Sequence, residues 1–394
     1  MPISPRAGLG LLTAIFYLNF FARIVFAPLL PRMEESLALS HGEAGSFFLL
    51  LSCGYFLSLL GSSFVAARLS HQQTIAWSML AISGSLLLIG VGDSLAFLRG
   101  AFFLLGLTTG VYLPSAVATI SALFASRHWG RAFAVHELAP NLAFLSAPLA
   151  SSFLLTHLDW QHSILLLAVL SFCAGIAYLG IGQGRDLHGK PPALATWRQI
   201  LRRREFRLLV LLFAMGISGT LGIFSVLPLF LVTDHFMPLQ QANLLVGLSR
   251  IGSLFTTLLG GWLADRFGNR RTMATVLFLS GITTSCIGFA QGPVLNAVIF
   301  LQPSIAVCFF PAAFSVLAGF TAPDTRNVVI SLAVPLAFVG GGGLLPFLIT
   351  TLAESGSFRG GLVCAGLFIA AGSVLVPLIR TSETLRSAED AKER

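Results

Sequence analysis

The stretch GGWLADRFGNRRT, from Gly260 to Thr272, places four charged residues in a short loop between two long apolar segments. Each flanking segment is about as long as the roughly 20 apolar residues that a helix needs to cross a bilayer. The whole chain has this character, because 55% of its 394 residues are hydrophobic, 10% are charged and the mean hydropathy is +0.86. One water-soluble core cannot bury so much apolar surface. The sequence therefore predicts an integral membrane protein.

Segments of membrane-spanning length recur along the whole chain. They are continuously apolar and lack the alternating pattern of a transmembrane β-strand, so they indicate helices. We predict an all-α membrane protein with twelve transmembrane helices in two pseudo-symmetric six-helix bundles. The predicted spans lie at about residues 9–30, 44–67, 72–91, 94–124, 131–155, 162–183, 207–232, 240–263, 272–291, 294–319, 327–352 and 358–380.

The distribution of basic residues predicts the orientation in the membrane. If both termini are cytoplasmic, only Arg32 and Arg359 of the 24 Lys and Arg residues lie outside, and only Arg23, Arg99 and Arg250 lie within spans. Retention of basic residues on the cytoplasmic side supports this orientation. The net charge of +8 then reflects topology, and nucleic-acid binding is not needed to explain it. We expect a multi-pass protein of the cell inner membrane.

A polar segment at the middle of the chain separates the two predicted bundles. It contains a Pro-Pro pair and the basic cluster RRRE. We predict a first bundle at residues 1–183, a basic cytoplasmic linker at 184–206, a second bundle at 207–380 and a cytoplasmic tail at 381–394. The basic cluster could bind anionic lipid headgroups, but we favour a role as a determinant of topology.

The two halves carry similar sequences about 200 residues apart, which is typical of transporters built from internal repeats. FAPLLP at Phe26 resembles VLPLFL at Val226. YLPSAVATISALF at Tyr112 resembles FFPAAFSVLAGF at Phe309. The shared spacing indicates that one six-helix unit occurs twice.

The opening stretch has a weaker counterpart, SSFVAARLSHQQT, between the second and third spans. Ala67 stands there in the position of the acidic residue, and only Arg68 is kept. Twelve spans, two halves of six, a basic central loop and the motif G-x-x-x-D-R-x-G-x-R-R together resemble the major facilitator superfamily. The resemblance implies a charged latch between cytoplasmic helix ends. Its residues here would be Gly261, Asp265, Arg266, Gly268, Arg270 and Arg271, with Arg68 from the weaker copy.

Charges inside the hydrocarbon region are costly and tend to mark functional sites. Arg250 lies in the eighth span, roughly 15 to 20 Å from either end of its helix, on a polar face that includes Asn243. We predict that Arg250 and Asn243 bind an anionic substrate, because a guanidinium pairs with a carboxylate in bidentate geometry. A structural ion pair or a gate contact is the alternative for Arg250. An Arg in this helix also resembles the substrate-binding Arg of the family's monocarboxylate and nitrate carriers.

A second arginine, Arg23, lies past the middle of the first span, one turn after Asn19 and close to Phe16 and Phe20. We predict that Arg23, Asn19 and Tyr17 form the other side of one substrate-binding cavity. The alternative for Arg23 is a packing role, in which it donates hydrogen bonds to carbonyl groups of a neighbouring span.

Glu137 is the only carboxylate clearly inside a predicted span. Burial and a nearby cation act in opposite directions on a carboxyl group, so a gated Glu could load and release a proton. We predict Glu137 as the proton-coupling residue, with a structural pair to Arg131 as the alternative. The adjacent His136 is expected to lie at the membrane interface.

No sequence feature indicates an enzyme, since the chain lacks a Walker loop, HExxH, GxSxG and any His/Cys cluster with ligand spacing. We expect no metal and no cofactor. The sequence predicts a secondary active transporter that uses alternating access for proton-coupled symport of a small organic anion, a carboxylate. A drug/proton antiporter that exports lipophilic compounds is the alternative, and a non-transporting membrane sensor is a third. The expected partners are an anionic small molecule, protons and membrane lipids, and we expect a monomer.

Overall fold

The computed structural model describes residues 4–125, 128–189, 199–319 and 332–379. Within these ranges the chain is helical and contains no β-strand. The helices of the first half are α1 (Pro5–Ile24 and Phe26–Leu37), α2 (His41–Arg68), α3 (His71–Val91), α4 (Leu95–Gly110 and Tyr112–Leu123), α5 (Trp129–His136 and Leu138–Leu154) and α6 (Trp160–Ile181).

A short helix at residues 199–202 precedes the helices of the second half. These are α7 (Arg204–Ile217, Ser218–Gly222 and Ile223–Thr233), α8 (Leu239–Phe267), α9 (Asn269–Ile287), α10 (Gly292–Ala306 and Phe309–Gly319), α11 (332–338, Val339–Leu344 and Leu345–Glu354) and α12 (Phe358–Leu375).

In the part of the chain that the structure describes, ten helices are long and apolar enough to cross a membrane. The other two, α5 and α9, stand where the sequence predicts the fifth and ninth spans. α5 consists of two segments that are each shorter than a span, and α9 begins with the polar stretch Asn-Arg-Arg-Thr. The predicted all-α membrane fold is confirmed.

Four helices break three residues before a proline. The breaks in α1, α4 and α5 lie at Val25, Val111 and Glu137, and that in α10 at 307–308. The following prolines are Pro28, Pro114, Pro140 and Pro311. A proline inside a helix lacks an N–H and its ring clashes with the carbonyl four residues earlier, so the helix kinks there. The breaks of α4 and α10 occupy matching positions in the two repeats that the sequence predicts.

Glycines set the distance between neighbouring helices. A methyl group at Gly106 of α4 would collide with the backbone of Leu51 on α2, and one at Gly54 with the backbone of Phe103. The second half repeats this device, because Gly260 of α8 lies against the backbone of Cys308. Small residues at helix crossings are the usual means of close packing between membrane helices.

The contacts divide the described chain into two units. Unit 1 comprises residues 4–189 together with Ser225–Leu248, and unit 2 comprises the remainder. The end of α7 and the start of α8 therefore pack with the first half of the chain. The bundle boundaries predicted from the sequence stay a prediction.

Candidate functional site

The first arginine centre, formed by Arg23, Phe20 and Tyr55, joins α1 to α2. Arg23 is 7% exposed and lies in the last turn before the break of α1. Its guanidinium carbon lies 4.3 Å from the centre of the Tyr55 ring and 4.7 Å from that of the Phe20 ring. Aromatic faces attract cations, so the two rings stabilise a positive charge inside the bundle.

The other two residues predicted on α1 reach different helices. Asn19 is buried, and its side-chain amide donates to the carbonyl of Thr109 on α4 at 3.1 Å. The hydroxyl of Tyr17 lies 2.7 Å from that of Ser146 on α5. The three side chains therefore connect α1 to α2, α4 and α5, and each has a packing contact of its own.

The second arginine centre, formed by Arg250, Thr220 and Phe224, joins α8 to α7. Arg250 is 5% exposed, and its Nη2 donates to the carbonyl oxygen of Thr220 at 3.1 Å. Its guanidinium carbon also lies 4.8 Å from the centre of the Phe224 ring. The carbonyl and the ring are both uncharged, so neither cancels the charge of the guanidinium.

Thr220 belongs to a π-helical segment, Ser218–Gly222, in the middle of α7. Such segments are rare and often occur at functional sites. A second one, Val339–Leu344, contains the run of four glycines in α11. Gly341 packs so tightly against the backbone of Ala214 and Ser218 that a methyl group there would overlap it. The glycines therefore allow α11 to contact the distorted part of α7 directly.

Asn243, predicted on the face of Arg250, takes part in a different set of contacts. It is fully buried and donates to the carbonyl of Pro28 on α1 at 3.2 Å. One turn later, a methyl group at Gly247 would lie 3.0 Å from the side chain of Leu149 on α5. The first half of the predicted polar face is therefore covered by packing within unit 1.

The interfacial position expected for His136 is wrong. His136 is fully buried where the first segment of α5 ends, and its ring stacks on Phe16 at 4.4 Å between centroids. Its Nε2 lies 3.0 Å from the hydroxyl of Tyr112. No signal in the sequence indicates this burial, because the rings of Phe16 and Tyr112 that enclose His136 are distant from it along the chain.

Glu137 occupies the break itself, and its side chain is 61% exposed. Its carboxylate lies 3.8 Å from Nδ1 of His136. No salt bridge joins it to Arg131, which was the alternative from the sequence; both residues lie in the described ranges.

The loop between α8 and α9 has a backbone conformation that favours glycine at position 268. Gly268 has a φ of +88°, a conformation that side chains disfavour. Arg270 donates to the carbonyl of Ile379, which lies four residues beyond the end of α12. The guanidinium carbon of Arg266 lies 5.3 Å from the Trp262 ring on its own helix.

The remaining predicted latch residues are Arg271, Arg68, Gly261 and Asp265. Arg271 and Arg68 are exposed, and Gly261 lies beside Pro311 of α10. Asp265 is exposed and, across the described ranges, forms no salt bridge. A latch that involves Asp265 therefore stays a prediction.

The weaker copy of the loop is covered by residues 184–189, which we call the strap. Gly189 donates to the carbonyl of Ala66 at 2.7 Å, and His71 donates to that of Leu187 at 2.8 Å. Arg185 Nε donates to the side-chain oxygen of Gln72 at 3.2 Å. The start of the predicted linker is thus fixed to the loop that has lost its acidic residue, an arrangement for which we found no signal in the sequence.

Metal ligands are not clustered in the part of the chain that the structure describes. No group of three or more His, Cys, Asp and Glu side chains there is arranged to hold a metal ion. The two arginine centres and the Tyr112–His136–Glu137 group are the polar clusters of the described helices that contain residues singled out from the sequence.

Relatives with known names place these features in a family. An uncharacterized MFS-type transporter, YceJ of Bacillus subtilis (strain 168), is 22% identical over 92% of this chain and 94% of its own length. The niacin transporter NiaP of Acinetobacter baylyi (strain ATCC 33305 / BD413 / ADP1) is 24% identical over 68% of each chain. Other relatives are named for hexose phosphate or phosphoglycerate transport and for efflux of agnestins.

Solved structures share the fold. The structure of a bacterial homolog of the human lysosomal transporter Spinster, in an inward-facing and unoccupied conformation, superposes with a TM-score of 0.81 at 14% identity. The match covers 95% of this chain and 96% of that one. The sequence profile of the Major Facilitator Superfamily matches residues 11–248 and 223–394. The chain therefore belongs to the major facilitator superfamily and is a membrane transporter, not an enzyme.

Proposed function

We propose that this protein is a proton-coupled symporter of a small carboxylate, working by alternating access in the cell inner membrane as a monomer. One observation carries the proposal. Arg250 is buried in the middle of α8, where its guanidinium contacts the carbonyl of Thr220 and the ring of Phe224. A charge held inside a membrane protein is costly, and a carboxylate is the ligand that pairs best with a guanidinium.

The first arginine centre supports the same substrate class. The rings of Phe20 and Tyr55 stabilise the positive charge of Arg23. They also offer flat apolar surface to an aromatic or short aliphatic acid. Niacin, for which one relative is named, is an aromatic carboxylate, and phosphoglycerate and hexose phosphate are anions as well.

The proposal also includes a cytoplasmic gate and a residue that couples transport to protons. The loop from Gly261 to Arg271 would latch the cytoplasmic ends of the helices, and Glu137 would carry the coupled proton. Residues 1–183 and 207–380 would form the two bundles, joined by the linker at 184–206. Arginine contacts with uncharged groups leave room for an incoming anion to compete for the guanidinium hydrogens.

Export of lipophilic compounds is the second candidate. The aromatic cluster around Arg23, in which the ring of Phe16 also packs on that of Phe20, favours it, as does the relative named for agnestins efflux. An exporter of this kind would bind lipophilic compounds whether or not Arg250 is present.

A thermal-shift assay separates the two candidates. Purified protein would be heated with small carboxylates including nicotinate, with inorganic anions and with lipophilic cations, using the wild type and Arg250→Ala. Arg359→Ala is the matched control, because its guanidinium also lies over a ring, that of Phe289 at 4.1 Å, but at an exposed helix start. We expect carboxylates to stabilise the wild type and Arg359→Ala but not Arg250→Ala.

Stabilisation by lipophilic cations alone, unchanged in Arg250→Ala, would overturn the symporter proposal in favour of export. Carboxylate-driven proton uptake into proteoliposomes, measured with a pH-sensitive dye, then tests the coupling.

A further inference from the structure

The ring of His136 is held in one orientation by three helices. The hydroxyl of Tyr112 on α4 donates its single proton to the carbonyl of Leu12 on α1 at 2.7 Å. The Tyr112 oxygen must therefore accept from Nε2 of His136, which lies 3.0 Å away. The ring is also stacked on Phe16 of α1, with 7° between the two planes. These contacts specify the neutral tautomer with its proton on Nε2.

That tautomer leaves Nδ1 as a basic nitrogen inside the protein. His136 is fully buried, and within the described ranges Nδ1 has no hydrogen-bond partner. The carboxylate of Glu137 lies 3.8 Å away, about 1 Å beyond the usual length of a charge-assisted hydrogen bond. A buried nitrogen that lacks a donor and faces a carboxylate is arranged to accept a proton.

We propose that Nδ1 of His136 is the site that binds the transported proton, and that Glu137 delivers and removes it. The proposal rests on the proton coupling proposed above, but it moves the storage site from Glu137 to His136. Protonated Glu137 transfers its proton to Nδ1. The products are an imidazolium, whose two N–H groups point to Tyr112 and Glu137, and a Glu137 carboxylate that balances its charge.

The division of roles follows from exposure. The side chain of Glu137 is 61% exposed at the protein surface, whereas the ring of His136 is enclosed. An enclosed site can carry a proton from one side of a barrier to the other only if its access alternates. Imidazole is also the side chain that changes charge between about pH 5 and 8.

The groups around the ring are few. α4 contributes the hydroxyl of Tyr112, α5 contributes Glu137, and α1 contributes the uncharged carbonyl of Leu12 and ring of Phe16. The hydroxyl of Tyr178 on α6 lies within electrostatic range of Tyr112. Among these neighbours, Glu137 is the group that carries a negative charge at neutral pH.

The location couples protonation to helix geometry. Glu137 is the break of α5, and Tyr112 follows the break of α4 directly. Attraction between an imidazolium and Glu137 would therefore act directly at the break of α5. Because α1 also packs on the ring, the change reaches the helix that carries Arg23.

Nitrogen NMR of protein labelled with ¹⁵N-histidine in lipid bilayers tests the site without any substrate. Ring nitrogens report the tautomer and the protonation state directly, and the difference spectrum of His136→Gln assigns the signal. If that variant does not fold, Phe16→Leu identifies the signal by removing the stacked ring. We expect the Nε2–H tautomer at high pH and the imidazolium form at lower pH.

Glu137→Gln should weaken proton binding at His136 by about tenfold, since it removes the carboxylate facing Nδ1. His71 is the internal control, because it is a buried histidine whose Nδ1 lies 3.2 Å from Ser115 Oγ, and its signal should not change. A His136 ring that stays neutral throughout, or that titrates identically in Glu137→Gln, would overturn the proposal.

Transport assays distinguish failure of this proposal from failure of the proposed function. In proteoliposomes, His136→Gln should reduce nicotinate uptake driven by a pH gradient at least about tenfold, while nicotinate counterflow, which needs no net proton movement, stays within about threefold. Unchanged gradient-driven uptake in His136→Gln would refute the role of His136. Absence of any nicotinate transport by the wild type would count against the proposed function, and the NMR titration would still decide the proton site.

Discussion

The two arginine centres each stabilise a buried guanidinium, but they do so with different partners. Arg23 is held by two aromatic side chains, one from its own helix and one from α2. Arg250 is held by one ring and by a backbone carbonyl of a π-helical segment. The rings of Phe20 and Tyr55 are side chains, so they remain available to Arg23 when their helices move. The Thr220 carbonyl is available to Arg250 only while α7 keeps its π-helical segment. The difference suggests that Arg23 is a fixed charge and that the position of Arg250 depends on the shape of α7.

Substitution of the arginines themselves should show the largest effect. Arg250→Ala should reduce carboxylate affinity by roughly 30-fold or more, because charge-assisted hydrogen bonds contribute about 1.5–3 kcal/mol each. Arg23→Ala should reduce it less, since the aromatic rings of Phe20 and Tyr55 remain in the first arginine centre. Binding isotherms for both variants check the order. Equal losses of carboxylate affinity in the two variants would contradict the proposed difference between the two arginine centres.

Gly341→Ala tests whether the π-helical contact positions Arg250. An added methyl group would overlap the backbone of α7, and we expect a loss of stability of about 1–3 kcal/mol together with weaker carboxylate binding. Gly360→Ala is the control, because a methyl group there meets no atom within 4 Å. Thermal unfolding with and without ligand measures both effects. Wild-type affinity in a destabilised Gly341→Ala protein would show that the π-helix does not position Arg250.

Tyr55→Leu should have a moderate effect confined to the first arginine centre. Loss of the ring removes a cation–π contact of about 1–2 kcal/mol in a desolvated setting. Tyr55→Phe keeps the ring face and should bind within about threefold of the wild type. If Tyr55→Phe is as impaired as Tyr55→Leu, the hydroxyl and not the ring stabilises Arg23.

Asn19→Ala should give the smallest effect of the series. It removes one hydrogen bond, to the carbonyl of Thr109, with an expected loss of about 1 kcal/mol in stability and little change in affinity. Asn141→Ala is the control, because its half-buried side-chain amide donates to the carbonyl of Glu137 on its own helix. A strong loss of binding in Asn19→Ala would mean that Asn19 contacts the ligand directly.

Helix number, fold class and family were accessible from the sequence because they depend on long apolar runs and on one charged motif. The depth of Arg23 and Arg250 was accessible for the same reason, since it follows from counting residues along a helix. The burial of His136 was not, because it results from the rings of Phe16 and Tyr112, which are distant in sequence. The π-helices and the partners of Asn243 also arise from packing between helices, which periodicity does not report.

The strap has a consequence for the length of chain that connects the two halves of the sequence. Backbone hydrogen bonds fix Gly189 to Ala66, so residues 184–189 add no free length to the connection. The chain from Gly189 to Gln199 can therefore span at most about 35 Å when fully extended. Release of the strap would add residues 184–189 to the connecting chain, so the stability of a few backbone hydrogen bonds determines how much chain is available for the connection.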